Sequence, residues 1–247
     1  MKVRYAITDI HGNARAFLKL LDHVDPDPEQ MVILGDLGDR GLQTFEVYEE
    51  VSLLMEEGCR VIRGNHDEWY EQHLNAKSTY FLSDEVGGST TVKSFENAVQ
   101  KHGYSKVEGI RRNVFRNLMP YLETEDFIFV HAGIDPRLPD MSRQTSNTLQ
   151  FGCDAWRNPT LEHSFDQVVV FGHTPTYSIH KNISEDDATV WFSRARRKMA
   201  IDTGAGFGNR LTMVDLQKGK AYAYDFAERD IIDYQFMNPK GFRRRYY

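Results

Sequence analysis

The chain has 247 residues and a formal net charge of −6 at neutral pH; 40% of its residues are hydrophobic and 27% are charged. This composition excludes an intrinsically disordered chain and an integral membrane protein. Because the net charge would repel nucleic acids and anionic lipids, we expect no nucleic-acid partner and no membrane partner, and local positive groups would have to bind any anionic substrate.

The first residues and the cysteines favour a cytoplasmic protein. A strand pattern begins directly after Met1, which leaves no room for an apolar leader segment, and no apolar run could span a bilayer. Cys59 and Cys153 are isolated, as is typical of reduced, packed thiols. Since no linker rich in Pro, Gly and Ser interrupts the chain, we expect one domain over residues 1–247. The oligomeric state stays open.

Strand and helix patterns alternate along the first third of the chain. We predict strands at residues 3–8, 32–34 and 61–62, and helices at residues 14–24 and 44–57. This βαβαβ order is typical of a mainly parallel sheet with helices on its face. Each strand ends in a turn rich in Gly and Asp, and ligand sites lie at such carboxyl ends of strands.

The rest of the chain predicts a helical layer and then a strand-rich half. Residues 68–122 are polar and mostly helical in pattern, so we expect them to cover the first sheet. We expect the later strands to form a second sheet that packs on the first, and residues 225–247 to be a peripheral tail. These strands are predicted at residues 127–130, 168–171, 189–192, 199–201, 211–214 and 221–224. The expected fold class is therefore α/β.

Two motifs follow the first two predicted strands. Asp9 and His11 lie two residues apart, so both side chains can point towards one metal ion, although an Asp-x-His after a strand is more often only a turn. Residues 35–41 contain three glycines, two carboxylates and an arginine, which fits poorly with a solvated turn after a buried strand. Asp36 is the natural bridge between two cations, and Asp39 is free to orient a neighbouring side chain.

Three further motifs also follow predicted strands. Asn65 is an unusual metal ligand, and its neighbour His66 is suited to act as a general acid, since histidine transfers protons near neutral pH. Asp39 could fix the tautomer of His66. His131 and His173 each follow an apolar strand. One such histidine would more often be a core residue, but two at strand ends indicate ligands of a second metal ion.

Five short motifs resemble, in order and content, those of the phosphoprotein-phosphatase family of metallophosphoesterases, and most closely its bacterial and phage members. They are residues 9–12, 35–41, 63–67, 131–133 and 172–175. Residues 201–205 and 208–212 also resemble the terminal strand hairpin of these small phosphatases, so the resemblance runs from residue 9 to about residue 216. It implies a calcineurin-like sandwich of two mixed β-sheets flanked by helices.

The resemblance also implies a role for each candidate residue. The ligands of a first metal ion would be Asp9, His11 and Asp36. The ligands of a second would be Asp36, Asn65, His131 and His173. The catalytic residues would be His66, Asp39, Arg40 and Arg157, and phosphate would be bound by Arg40, Arg157, Asn65 and His66. The resemblance favours two manganese ions, while iron and zinc suit the same ligands.

Three positions depart from the family pattern. Arg157 directly follows Trp156, whereas one residue usually separates this tryptophan from its arginine. Thr8 stands where glycine usually precedes the first Asp, and Gly38 stands where a bulkier apolar residue is usual. Neither Thr8 nor Gly38 removes a ligand, but Gly38 could loosen the packing under its loop.

The expected chemistry is direct displacement at phosphorus. Two divalent ions would share a bridging hydroxide that attacks the phosphorus in line, without a covalent phosphoenzyme. The arginines would neutralise the phosphate oxygens, and His66 would protonate the leaving alkoxide.

Three functions are consistent with this chemistry and fold. The leading interpretation is a metal-dependent protein phosphatase that acts on phosphoserine or phosphothreonine. The rival is a symmetrical bis(5′-nucleosyl)-tetraphosphatase, because residues 87–91 and 131–136 resemble segments of that branch. The third is a non-catalytic binding scaffold, which would be expected to have lost ligands or His66. The substrate is thus a phosphoprotein or a nucleotide polyphosphate, and the loops that select it cannot be placed from one sequence.

Two basic runs, residues 194–198 and 243–245, are interpreted as a solvated loop and a solvated tail. The first run lies in an insertion that we expect near the rim of the site, where it could recruit a phosphorylated partner.

Overall fold

The computed structural model describes residues 2–158, 160–179, 184 and 188–237, which form an α/β fold of two mixed β-sheets flanked by helices. The helices are α1 (Ala14–Val24), α2 (Thr44–Glu56), α3 (Asn65–Leu74), α4 (Gly88–His102), α5 (Tyr104–Asn117), α6 (Ser146–Phe151), α7 (Asp154–Arg157) and α8 (Thr176–Ile179). The strands are β1 (Tyr5–Ile7), β2 (Met31–Ile33), β3 (Arg60–Val61), β4 (Leu122–Glu123), β5 (Phe127–Phe129), β6 (Val168–Phe171), β7 (Trp191–Phe192), β8 (Lys198–Ala200), β9 (Arg210–Asp215), β10 (Lys220–Asp225) and β11 (Asp230–Gln235).

The first sheet has the strand order β11-β10-β9-β1-β2-β3. The predicted βαβαβ unit is confirmed, since β1, β2 and β3 are parallel neighbours joined by α1 and α2. The prediction that residues 211–214 and 221–224 belong to the second sheet is wrong. They lie in β9 and β10, which extend the first sheet because β9 pairs antiparallel with β1, with Ala6 opposite Val214. Consecutive antiparallel strands need only short hairpins, so these strands can join whichever sheet offers a free edge.

Part of the expected peripheral tail is a regular strand. Residues 230–235 form β11, which pairs along its whole length with β10 at the edge of the first sheet. Its burial pattern is mostly intermediate or exposed, as is usual for an edge strand. The second basic run, residues 243–245, lies outside the described residues.

The second sheet has the strand order β4-β5-β6-β8-β7. β5, β6 and β8 are parallel, and β4 and β7 pair antiparallel at the two edges. β6 has the predicted bounds, while β4 was not predicted because two residues carry too little pattern to recognise.

The side chains of β1 point alternately to the two faces of the first sheet, and each face packs into a different apolar layer. Ala6 points into an apolar layer between the sheets, where it meets residues such as Val170 and Met199 of the second sheet. Tyr5 and Ile7 point to the opposite face, into the layer that α1, α2, α4 and α5 cover. The outer face of the second sheet packs against Trp156 and its neighbours. Among the described residues, no helix combines the length and apolar character needed to cross a bilayer.

The carboxyl ends of the parallel strands of both sheets open into polar loops that meet at one edge of the sandwich. Residues 8–13 follow β1, residues 34–43 follow β2 and residues 62–65 follow β3. Residues 130–133 and 172–175 follow β5 and β6. The predicted site residues on these loops are therefore brought together from both sheets.

Candidate metal centre

The loops at this edge hold an unusual set of backbone conformations. Non-glycine residues avoid positive φ, at a cost of about 1–3 kcal/mol each, so such residues cluster only where the surrounding structure holds them. The predicted site residues with positive φ are Asp9 (54°), His11 (47°), Asp36 (56°), Asp39 (71°), Arg40 (66°) and His173 (68°). The strain therefore coincides with the predicted site.

Asp36 lies at the centre of the site and faces histidines on both sides. Its Oδ2 lies 3.7 Å from His11 Nε2 and 4.0 Å from His66 Nε2, and its Oδ1 lies 3.4 Å from His131 Nε2. Burial alone would raise the pKa of Asp36, but the charges of His131, His66 and His11 hold that pKa well below its usual range. The carboxylate therefore stays ionised in a buried position, as a bridge between two cations must.

Two groups of potential ligands share Asp36, and the ligand atoms of each group lie within 4.8 Å of one another. One group is His11, Asp36 and His66; the other is Asp36, His131 and His173. The first group contains His66 and lacks Asp9, whereas the predicted ligand set contains Asp9 and lacks His66.

Asp9 lies next to the first group and joins the two sheets. Its Oδ1 lies 3.8 Å from His11 Nε2, and its Oδ2 accepts hydrogen bonds from His173 N at 2.9 Å and from Thr8 Oγ1 at 2.5 Å. Burial raises the pKa of Asp9 to about 6, and the nearby charge of Asp36 adds to this effect. Thr8, one of the departures from the family pattern, thus supports a predicted ligand.

Two of the histidines are oriented in the way that metal ligands usually are. His11 Nδ1 lies 2.9 Å from the carbonyl oxygen of Gly38, and His131 Nδ1 lies 2.7 Å from that of Leu34. A carbonyl can only accept, so each Nδ1 carries a proton and each ring turns its Nε2 into the site. Metal-binding histidines commonly have such a carbonyl partner on the other ring nitrogen.

Asn65 brings a third kind of ligand between the two histidines of the second group. Its Oδ1 lies 2.8 Å from both His131 Nε2 and His173 Nδ1. Burial would lower the pKa of His131, but the charge and hydrogen bond of Asp36, the charge of Asp9 and the carbonyl of Leu34 together outweigh burial and raise that pKa to about 10. Burial lowers the pKa of His173 to about 3. The oxygens of Asp36, Asn65 and Leu34 thus surround His131, and this arrangement favours a positive charge at this position. The combination of carboxylate, amide oxygen and imidazole fits a divalent ion.

His66 forms a buried pair with Asp39. His66 Nδ1 lies 2.7 Å from Asp39 Oδ2, which fixes the ring and turns Nε2 towards Asp36. Burial raises the pKa of Asp39, and the hydrogen bond from His66 acts in the opposite direction. Thr91 on α4 donates to Asp39 Oδ1 at 2.6 Å, so the helical cover orients the carboxylate. The pairing that was predicted for a general acid is present in the geometry.

Arg40 lies against both histidines of the first group. Its Nη1 lies 2.9 Å from His11 Nε2 and its Nη2 lies 3.2 Å from His66 Nε2, so a cationic group already faces both imidazole nitrogens. Its guanidinium carbon lies 4.6 Å from the ring centroid of Phe207. Arg40 is thus placed where a phosphate group next to these histidines could be bound.

Arg157 is not brought into contact with the other site residues. Its guanidinium is more than half exposed, donates to the carbonyl oxygen of Phe151 at 2.9 Å, and lies 3.3 Å from Asp154 Oδ1. Its charge acts at longer range: after burial, His131 and His66, it contributes to the lowered pKa of His173. The short helix α7 buries Trp156, and the arginine that directly follows is carried to the exposed side.

Asp67 and Thr91 support the site and were not singled out from the sequence. Asp67 accepts hydrogen bonds from the backbone nitrogens of Gly64 and Asp36, both at 2.9 Å, and of Leu37 at 3.2 Å. It therefore ties the loop after β2 to the start of α3. An acidic residue three positions after the N-cap is a capping signal that could have identified Asp67. No local signal marks Thr91, which reaches Asp39 from a distant helix.

Gly38 does not loosen its loop, contrary to the expectation from the sequence. A Cβ atom at this position would lie 2.7 Å from Thr44 Cγ2 and 3.0 Å from Thr91 Oγ1. Thr44 and Thr91 already fill the space that a side chain at position 38 would need. Glycine is required here because Thr91 must approach Asp39.

The first basic run lies away from the site, so the expectation that it borders the rim is wrong. Residues 194–197 precede β8, whereas the site lies beyond the opposite, carboxyl end of that strand. Arg196 stacks on Phe192, at 4.5 Å from the ring centroid. Lys198 is buried and donates to the carbonyl oxygens of Trp156 at 3.0 Å and Asn158 at 3.1 Å. The run is therefore a turn with a structural lysine.

Comparisons with known proteins agree with this geometry. The asymmetrical bis(5′-nucleosyl)-tetraphosphatase PrpE of Anoxybacillus flavithermus is 26% identical over 233 residues, which covers 83% of this chain and 87% of that protein. A solved structure of a candidate diadenosine tetraphosphatase superposes with a TM-score of 0.59 at 18% identity, covering 96% of this chain and 95% of the other. The cold-active protein-tyrosine phosphatase of a psychrophilic Shewanella species superposes with a TM-score of 0.55 at 16% identity, covering 94% and 80%.

A family profile described as calcineurin-like phosphoesterase matches residues 4–201, which include every predicted metal ligand and His66. The two mixed sheets, the ligand groups that share Asp36 and this match agree. The chain belongs to the calcineurin-like phosphoesterase family and is a phosphoric ester hydrolase.

Proposed function

We propose that this phosphoesterase binds two divalent metal ions and hydrolyses dinucleoside polyphosphates between the first and second phosphates from a nucleoside. The observation that carries the metal-dependent part is the position of Asp36, whose two carboxylate oxygens face different groups of histidines. Manganese is the proposed metal. The predicted ligand sets would hold the ions, with Asp9 completing the first set and Asn65 the second.

The ions would supply Lewis acidity and an activated water when they are bound. The side chains of this chain supply the rest. Arg40 is placed to bind the phosphate beside His11 and His66. His66, held by Asp39 through Nδ1, would donate a proton from Nε2 to the leaving oxygen. Arg157 would bind phosphate only after its side chain turns away from the carbonyl of Phe151.

The choice of substrate is supported by relatives rather than by the reacting residues. PrpE of Anoxybacillus flavithermus is named as an asymmetrical bis(5′-nucleosyl)-tetraphosphatase, and this chain covers 87% of its length. Asymmetrical cleavage of diadenosine tetraphosphate yields AMP and ATP, whereas the symmetrical cleavage considered from the sequence yields two molecules of ADP. The products therefore separate the two possibilities.

A serine/threonine protein phosphatase is the second candidate, and the His66–Asp39 pair favours it. The alkoxide of serine or threonine is a poor leaving group and needs a proton, whereas a nucleotide phosphate leaves more easily as an anion. A buried acid pair with a 2.7 Å contact suits the more demanding reaction.

A single parallel assay tests these candidates. The manganese-loaded protein is incubated with diadenosine tetraphosphate and, separately, with a phosphoserine peptide, and the products are separated by anion-exchange chromatography. We expect AMP and ATP from the first substrate, at a kcat/KM well above that for the peptide. ADP as the only product would replace asymmetrical by symmetrical cleavage. Preference for the peptide would establish the protein phosphatase, and a protein without bound metal or activity would indicate a scaffold.

A further inference from the structure

Phe207 is an exposed aromatic residue at the border of the metal centre. It ends the short 3-10 turn Ala205–Phe207, between β8 and β9, and 60% of its surface is exposed. Gly204 and Gly208 flank the turn with φ values of 87° and 81°, which side-chain-bearing residues rarely adopt. Single exposed apolar side chains are common, so the position of Phe207 beside the site, and not its exposure alone, makes it a candidate for substrate contact.

The turn is pressed against the predicted phosphate site. A Cβ atom on Gly206 would lie 2.5 Å from His11 Cδ2 and 2.7 Å from Arg40 Nη1, so only glycine permits this approach. The next residue, Phe207, has the guanidinium of Arg40 over its ring, with the carbon 4.6 Å from the centroid. Arg40 therefore covers one face of the ring, and a second flat group could stack on the exposed part.

Trp69, another aromatic residue beside the site, does not offer such a surface. Its ring packs against three neighbouring rings: His66 at 4.9 Å, Tyr80 at 5.2 Å and Phe151 at 5.6 Å. These contacts make Trp69 part of the wall behind the predicted acid. Phe207 is the better candidate for contact with a substrate.

We propose that Phe207 is a stacking platform for the nucleobase of a nucleotide whose phosphate is bound at Arg40. Every base has a flat π face, and a ring that already stacks on a guanidinium can take a base on its free side. The choice of a nucleotide rests on the proposed function. A platform this close to Arg40 places the base one ribose away from the bound phosphate, which selects the phosphorus nearest the nucleoside and so the asymmetrical cleavage.

Equilibrium binding tests the platform without requiring turnover. Isothermal titration calorimetry of the manganese-loaded protein compares AMP with ribose 5-phosphate, which differ only by the base. We expect AMP to bind more tightly by roughly 5- to 100-fold, the range for one stacked base. Phe207→Leu should reduce this preference to about twofold or less while leaving ribose 5-phosphate binding unchanged, and Phe207→Trp should preserve the preference. Tyr104→Leu, which alters an exposed aromatic residue of the helical cover, is the matched control.

Three results would overturn the platform: equal binding of the two ligands by the unmodified protein, a preference that survives in Phe207→Leu, or equal weakening of both ligands by that variant. The last result would mean that Phe207 only holds Arg40. Failure of the proposed function has a different signature. If diadenosine tetraphosphate is not hydrolysed but the preference for AMP is present and depends on Phe207, the platform stands and serves another nucleotide.

Discussion

The loops that follow the first-sheet strands are locked in place, whereas α7, on the side of the second sheet, carries its arginine into solvent. On the first side, Asp67 binds the backbone of two loops and Thr91 holds Asp39. On the second side, the guanidinium of Arg157 has a backbone carbonyl and an exposed carboxylate as partners. Arg40 and Arg157, although predicted to share one task, thus lie in very different surroundings.

This difference indicates how much the first-sheet loops and Arg157 each contribute to catalysis. Groups that must face a developing charge gain most when they are already oriented, because no reorganisation is then required during the reaction. The first-sheet loops meet this condition, and their positive φ values are the cost of it. An exposed arginine can only contribute after it has been ordered by the substrate. We therefore expect substitutions in the first-sheet loops to reduce activity strongly, and substitution of Arg157 to reduce activity weakly.

The largest loss is expected for Asp36→Asn. The change keeps the shape of the side chain but removes the negative charge between the two groups of histidines, so neither ion can be held as before. We expect kcat/KM for an aryl phosphate to fall by roughly 10⁴-fold or more and bound manganese to fall with it. Elemental analysis by mass spectrometry and steady-state kinetics measure the two effects.

Asp22→Asn, on the exposed surface of α1, is the control for Asp36→Asn and should retain both metal and activity. If Asp36→Asn were folded, fully loaded with metal and active, Asp36 could not be the shared ligand.

The second prediction isolates the proton donor. His66→Asn should retain manganese but reduce kcat for a phosphoserine peptide by roughly 10²–10⁴-fold, since the leaving alkoxide then receives no proton. The reduction should be much smaller for p-nitrophenyl phosphate, whose leaving group needs little protonation. Equal reductions for both substrates would contradict the role as acid and would indicate that His66 is a metal ligand, as its position beside His11 and Asp36 also permits.

The fold of the first third could be predicted from the sequence because its patterns are local. Helix α1 has the predicted bounds, and each motif follows its strand directly. The assignment of β9 to a sheet could not be predicted, since alternation shows that a strand is half-buried but not which edge it joins. The roles of Thr91 and Phe207 could not be predicted for a related reason. Thr91 contacts Asp39 and Phe207 contacts Arg40, and each contact joins residues that are far apart in the sequence.

Alanine variants of the two arginines test the comparison itself. Arg40→Ala should reduce kcat/KM by roughly 10²–10³-fold, as expected for the loss of an oriented charge beside the reacting group. Arg157→Ala should reduce it by less than about tenfold, mainly through KM, because its guanidinium must first leave the carbonyl of Phe151. Steady-state kinetics with one substrate measures both variants. Similar losses would show that exposure in the free protein does not indicate a minor role.

The smallest effect on activity is expected for Lys198→Met, which removes a side chain that holds α7 in place by hydrogen bonds. The buried ammonium of Lys198 donates to the carbonyl oxygens of Trp156 and Asn158 and lies 4.5 Å from the centroid of the Trp156 ring. Burial lowers its pKa. Methionine fills a similar volume without donating, so two carbonyl groups lose their partner. The free energy of unfolding should fall by about 1–3 kcal/mol in chemical denaturation.

Because Lys198 holds the backbone on both sides of Arg157, the activity of Lys198→Met should fall no further than that of Arg157→Ala, and the double variant should lose little more than either alone. Lys218→Met, in an exposed turn, controls for the loss of one positive charge and should leave stability unchanged. A loss of activity that added fully to that of Arg157→Ala would mean that Lys198 supports the site through Trp156 and the second sheet instead of through the arginine.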